Sequence, residues 1–129
     1  MNLGPGELLV GRAWRWDREQ IATDIDVDRR VKLADGEVDP DPAISVFAVR
    51  HDGGEIGDTL DRLRSSVKAV RNAKWLAVVT EGELEAKGFK LELSEPPPDH
   101  HDLILGRPAG EATIVSLETV FGTRERVRL

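Results

Sequence analysis

The segment Pro96-Pro97-Pro98-Asp99-His100-His101-Asp102 holds the densest set of groups in this chain able to do acid–base chemistry. Histidine titrates nearest neutrality, and a carboxylate can fix its tautomer, so two imidazoles between two aspartates have the right atoms for a proton relay. Geometry argues the other way. Neighbouring residues in an extended chain point to opposite faces, so His100 and His101 do not readily meet at one ion or one substrate. No His-Glu-x-x-His or His-x-x-x-His pattern adds to them, and no metal site is expected. A catalytic reading, as a small hydrolase or nuclease, therefore needs His100 and/or His101 to work with Asp99, Asp102 or with His51 brought in by the fold.

Three other stretches have ligand-binding atom types. Gly53-Gly54-Glu55-Ile56-Gly57 lies between a strand-like run and a helix, where free amides and the helix dipole favour phosphate. Gly54 and Gly57 would open such a nucleotide or small-ligand site, with Glu81 after the next strand as a ribose-binding acid. The full Gly-x-Gly-x-x-Gly is missing, and Asp52 and Glu55 add unwanted negative charge. Asp24-x-Asp26-x-Asp28 has the opening spacing of a calcium loop. Its sixth position is Arg29 where glycine is required, and its twelfth is Asp35 where a bidentate glutamate belongs. Trp14 and Trp16, two apart on one strand, would share a sheet face, either as an exposed aromatic patch or as core. Arg64, Lys68 and Arg71 make a basic stripe at helical spacing that could meet an acidic partner or simply be solvated.

Composition narrows the classes. The chain has 129 residues, 40% hydrophobic and 33% charged, which suits one globular domain over residues 1–129. With no cysteine there is no thiolate nucleophile or disulfide, and a reducing cytoplasm is the default location. No Gly-x-Ser-x-Gly elbow or P-loop occurs. No apolar stretch reaches the roughly 18 residues that span a bilayer, and Met1 to Gly6 does not read as a secretory signal. A net charge of -6 disfavours general nucleic-acid binding. Nine acidic and four basic residues fall between Asp17 and Pro42, a local excess that hints at a polar partner surface. Arginine outnumbering lysine, with plentiful Asp, Ala, Gly and Val, suggests a GC-rich bacterial source.

The elements that must position these groups follow from periodicity. Leu8–Trp16 alternates as a strand, and Ala43–Arg50, apolar on both sides, reads as an interior strand. Asp17–Arg30 is ambiguous, since Ile21 and Ile25 share a helix face while Asp24 to Asp28 alternates. Val31–Val38 around Asp35-Gly36 suggests a hairpin, followed by the stiff acidic connector Asp39-Pro40-Asp41-Pro42. Ile56, Leu60, Leu63, Val67 and Val70 make the apolar stripe of a helix from Asp58 to about Asn72. Trp75–Val79 is a strand, and Thr80-x-x-Glu83 caps a short helix stopped at Gly88. Phe89–Leu93 and His101–Leu105 are strands, Gly110–Phe121 is a helix, and Arg124–Leu129 is a charged edge strand or a frayed end.

The expected fold is a single α+β domain: a mixed sheet of about five or six strands, two main helices and one short capped helix. The strand Ile44–Arg50, the long helix and Trp75–Val79 would form a right-handed parallel unit, with the N-terminal strands extending or edging the sheet. The favoured function is a non-enzymatic protein-interaction module, a small cytoplasmic bacterial adaptor or an antitoxin- or immunity-like protein. It would bind another protein or itself as a homo-oligomer, with no cofactor. The hydrolase at His100/His101 and the ligand binder at Gly53–Gly57 are the alternatives.

Overall fold

The run Leu8-Leu9-Val10 has all three side chains buried, so this strand must be covered on both faces. In the computed structural model, which describes residues 3–14, 16–71, 75–122 and 126–128, it is the interior of the sheet. The elements run β1 (Leu8–Trp14), α1 (Arg18–Ala34), β2 (Ala43–Arg50), α2 (Ile56–Arg71), β3 (Trp75–Thr80) and α3 (Glu81–Ala86). β4 (Lys90–Leu93), β5 (His100–Ile104), α4 (Glu111–Gly122) and β6 (Arg126–Arg128) follow. The strand order is β4-β5-β2-β1-β3-β6, with every neighbouring pair antiparallel.

The α+β class holds, with three main helices and the short capped one rather than two and one, because Arg18–Ala34 is helical throughout, and three further expectations are corrected. The sheet is antiparallel rather than mixed. β2 and β3 do run the same way, but β1 lies between them and pairs with both, Val10 facing Ala48 on one side and Val79 on the other. The N-terminal strand is therefore central, not an extension or an edge. Finally, the Val31–Val38 hairpin does not exist. Val31 to Ala34 is the last turn of α1, and Asp35-Gly36 ends it. Gly36 sits at φ +92°, with its N–H on the Leu33 carbonyl (3.1 Å) and the Glu37 N–H on the Lys32 carbonyl (3.0 Å). Asp-Gly here serves a helix stop, because the same positive φ that closes a hairpin also releases a helix C-terminus. At the other end Asp17 caps α1 by accepting from the Gln20 N–H at 2.9 Å.

Alternation divides the interior into two clusters. Leu9, Phe47, Val49, Leu76 and Val78 pack with Leu63 and Val67 of α2. Leu8, Val10, Ile44, Val46, Ala48, Ala77, Val79 and Leu103 pack with Ile21 of α1, Leu84 of α3 and Leu117, Val120 and Phe121 of α4. Gly11 lets α2 approach: a Cβ there would stand 2.9 Å from Leu63 Cδ2 and 3.0 Å from Leu76 Cδ1. The short helix is capped as its sequence specifies, with Thr80 Oγ1 accepting from the Glu83 N–H at 3.2 Å. Gly88 at φ +85° releases the chain toward β4. The connector 39–42 is tied down by Arg107, whose guanidinium bonds Asp39 (3.1 Å), its carbonyl (2.8 Å) and Asp41 (3.2 Å). No described helix is long and apolar enough to cross a membrane.

Candidate functional site

The pleat of β5 decides what the histidine segment can do. His101 faces Val46 and Leu93 across the ladders, while His100 faces Phe47 and lies edge-on to its ring, centroids 5.7 Å apart. The two imidazoles thus open onto different clefts. His100 Nδ1 bonds the Ser94 carbonyl at 2.8 Å, and His101 Nδ1 donates to the Asp99 carbonyl at 2.9 Å. His51 joins neither. It is buried with Nδ1 2.8 Å from Thr59 Oγ1.

The first cleft, of about 430 Å³, is acidic. Asp28, Asp35, Glu37, Asp41, Glu92 and Asp102 line it, together with His100 and the single ammonium of Lys32. Lys32 Nζ bridges Asp28 (2.9 Å) and Asp102 (3.2 Å), all three side chains being only 12–16% exposed. Burial raises the Asp28 carboxyl, and the charges of Asp102 and Glu37 push the same way against the lowering effect of Lys32. Burial would lower the Lys32 ammonium, but its hydrogen bonds and charge interactions with Asp28 and Asp102 outweigh that and hold it raised. The Asp28 shift is mainly the cost of burial, and the Lys32 shift reflects the two carboxylates it bridges.

The Asp24-Asp26-Asp28 spacing proves to be helical, and each carboxylate goes to a different cation. Asp24 faces inward, accepting from Arg12 (2.8 Å), Trp16 Nε1 (2.7 Å) and Gln20 (2.8 Å). Asp28 takes Lys32, and Asp26 pairs with Arg30 on the outer face. Among the described residues no group of three or more His, Asp or Glu is placed to hold a metal ion.

The second cleft, of about 690 Å³, lies where β2 ends, β5 begins and α2 passes. Arg50, Arg62, Ser65, Ser66, Asp99 and His101 supply its polar lining, and Leu8, Ala48, Val49 and Leu93 its apolar part. Asp99 has a positive φ of 66°, rare outside glycine though best tolerated by Asp and Asn. Four bonds hold it there. Its carbonyl accepts from the Ala48 N–H and from His101, its N–H reaches Glu95, and its carboxylate accepts from Ser66 Oγ at 2.6 Å.

The structure thus brings Asp99 and His101 into one cleft and His100 and Asp102 into another. Trp16 is 2% exposed, packed edge-on to Phe121 and under the Arg12 guanidinium, so it is core and presents no aromatic patch. The side chains of Trp14 and Arg71 lie outside the described set. Arg64 pairs with Asp61 within α2 (2.6 Å), and Lys68 is exposed. In the glycine loop the Gly54 N–H is taken by Asp52 at 2.9 Å, a bond that lowers the Asp52 carboxyl. That carboxylate stands where a bound phosphate would have used the amide. Gly57 falls inside the first turn of α2.

Lys32, Ser66, Arg50 and Arg62 were missed from sequence. The Asp28–Lys32 pair is legible at i, i+4 once the segment is read as helix. Nothing local marks the other three, because only strand order carries them to β5. Searches of family models, curated proteins and solved structures found no match to this chain.

Proposed function

We propose that the protein is a non-enzymatic interaction module, an adaptor or antitoxin- or immunity-like protein that takes a basic segment of a partner protein at its acidic cleft. The observation that carries this reading is the cleft's charge, six carboxylates around one ammonium. Val27 and Val31, 48% and 55% exposed on the adjoining face of α1, give a partner apolar surface beside it. Complementary charge steers encounter and sets register, while apolar contacts at the rim exclude water. A bacterial cytoplasmic setting belongs to the same reading and rests on composition alone.

The test is affinity capture from extracts of the source cells, with crosslinks mapped by mass spectrometry. A partner held through this site crosslinks to residues around Asp35 and Glu37, is released by raised salt, and is lost by the double charge reversal D35K/E37K. These side chains stand at the surface, so the variant keeps its fold, which circular dichroism checks. Capture indifferent to both salt and reversal would refute the assignment.

A further inference from the structure

We infer that the second cleft is a binding site for a phosphate monoester carried on an apolar body. This stands apart from the acidic cleft and from the protein-interaction reading. Its first support is a pair of guanidiniums outside the ion-pair network. Among the described residues, Arg50 and Arg62 form no ion pair, whereas Arg12, Arg18, Arg29, Arg30, Arg64 and Arg107 all do. Their own bonds position them. One nitrogen of Arg50 donates to the Gly6 carbonyl, and one of Arg62 to the Arg50 carbonyl (2.9 Å) and Thr59 Oγ1 (3.3 Å). Each guanidinium has five N–H donors, so most of both forks remains for a ligand. Paired arginines suit phosphate, whose oxygens accept fork-like pairs of bonds.

The remaining lining sharpens the class. The Ser65 hydroxyl gives its one hydrogen to the Asp61 carbonyl (3.1 Å) and the Ser66 hydroxyl gives its own to the Asp99 carboxylate, so both face the cleft as acceptors that suit a protonated phosphate oxygen. The Asp99 carboxylate would repel an anion, but Ser66 donates to it at 2.6 Å, and the two guanidiniums exceed its charge. Arg62 also acts on Asp52, outside the cleft lining. His101, with Nδ1 given to the Asp99 carbonyl, offers Nε2 as an acceptor in its neutral form. A monoprotonated phosphate has the donor to meet it, and a carboxylate does not. Leu8, Ala48, Val49 and the 65% exposed Leu93 give an organic substituent its apolar wall.

Three probes separate head from body: inorganic phosphate, hexyl phosphate and hexanoate, titrated by calorimetry with the histidine ring signals followed by NMR. Hexyl phosphate is expected to bind at least about tenfold more tightly than either of the others. It should shift the His101 signals and leave those of His100, on the other cleft, in place. R50M should weaken binding at least about tenfold with no change in unfolding midpoint, since that exposed side chain bonds a loop carbonyl, that of Gly6. R62Q should do the same, and if it lowers stability by losing Thr59, R50M still decides. Hexanoate binding as tightly as hexyl phosphate would overturn the phosphate assignment. An undisturbed His101, or affinity unchanged in R50M, would overturn the site.

Discussion

Lys32 shows how one side chain can hold together a region that charge alone would drive apart. It sits between Asp28 and Asp102, with little exposure, in the most acidic part of the surface. Replacing it with methionine leaves two nearly buried carboxylates facing each other, which should cost about 2–4 kcal/mol at neutral pH. The Asp28 carboxyl, already raised by burial, would lose the partner that lowers it and lie higher still. Its penalty is full above that raised value and is relieved as pH falls through it. The deficit of K32M against wild type, measured by urea unfolding, should therefore shrink on acidification from pH 7 to pH 4, and a deficit that stays constant or grows would contradict the account. In the wild type the raised Lys32 works at the opposite limit: its contribution is full below the ordinary lysine value and is lost as pH rises through the higher folded one. Asp24 has a similar place in the other half of α1. The variant D24A removes an acceptor from buried Arg12 and from Trp16 Nε1 together, and is expected to lose about 2–4 kcal/mol with a red-shifted tryptophan emission.

At the scale of elements, the local signals that act through backbone were readable and those that act through partners were not. Thr80, Glu83 and Gly88 mark the ends of their helix locally, and the structure reproduces start and stop. T80A should cost about 1 kcal/mol by losing the bond to the Glu83 N–H. Gly36 is the instructive contrast. Its positive φ was legible, but Asp-Gly serves a hairpin and a helix end equally, and the contacts that favour helix here, Ile21 in the core and Asp24 on Arg12, lie with partners outside the segment. G36A should cost about 1 kcal/mol, with the loss confined to the end of α1 in hydrogen exchange. A loss spread over the sheet would mean the turn is built differently. The site was half visible for the same reason. Asp99 and His101 are close in sequence, and opposite pointing of His100 and His101 follows from the pleat. Arg62 and Ser66 reach them only because β5 lies beside β2, a neighbour relation that no local pattern encodes.

At the scale of the molecule, β2 joins the two clefts: Ser45 near its start lines the acidic one and Arg50 at its end lines the basic one. The sheet that holds this arrangement depends on β1, which reaches its partners only across α1 and then across α2. Leu8 and Val10 belong to one cluster and Leu9 to the other, so one strand nucleates both layers. Without it, β4-β5-β2 and β3-β6 are separate ribbons, each with an open edge and apolar faces lacking cover. A chain running from Asp17 to Leu129 should therefore have no cooperative urea transition. A peptide of residues 3–16 supplied in trans should restore one, with a midpoint that rises with peptide concentration, because binding only the folded form stabilises it by mass action. Changing Leu9 to Asp in that peptide should abolish rescue, since it puts a charge into the α2 layer. If the shortened chain unfolds cooperatively on its own, β1 is not the strand around which the two layers are built.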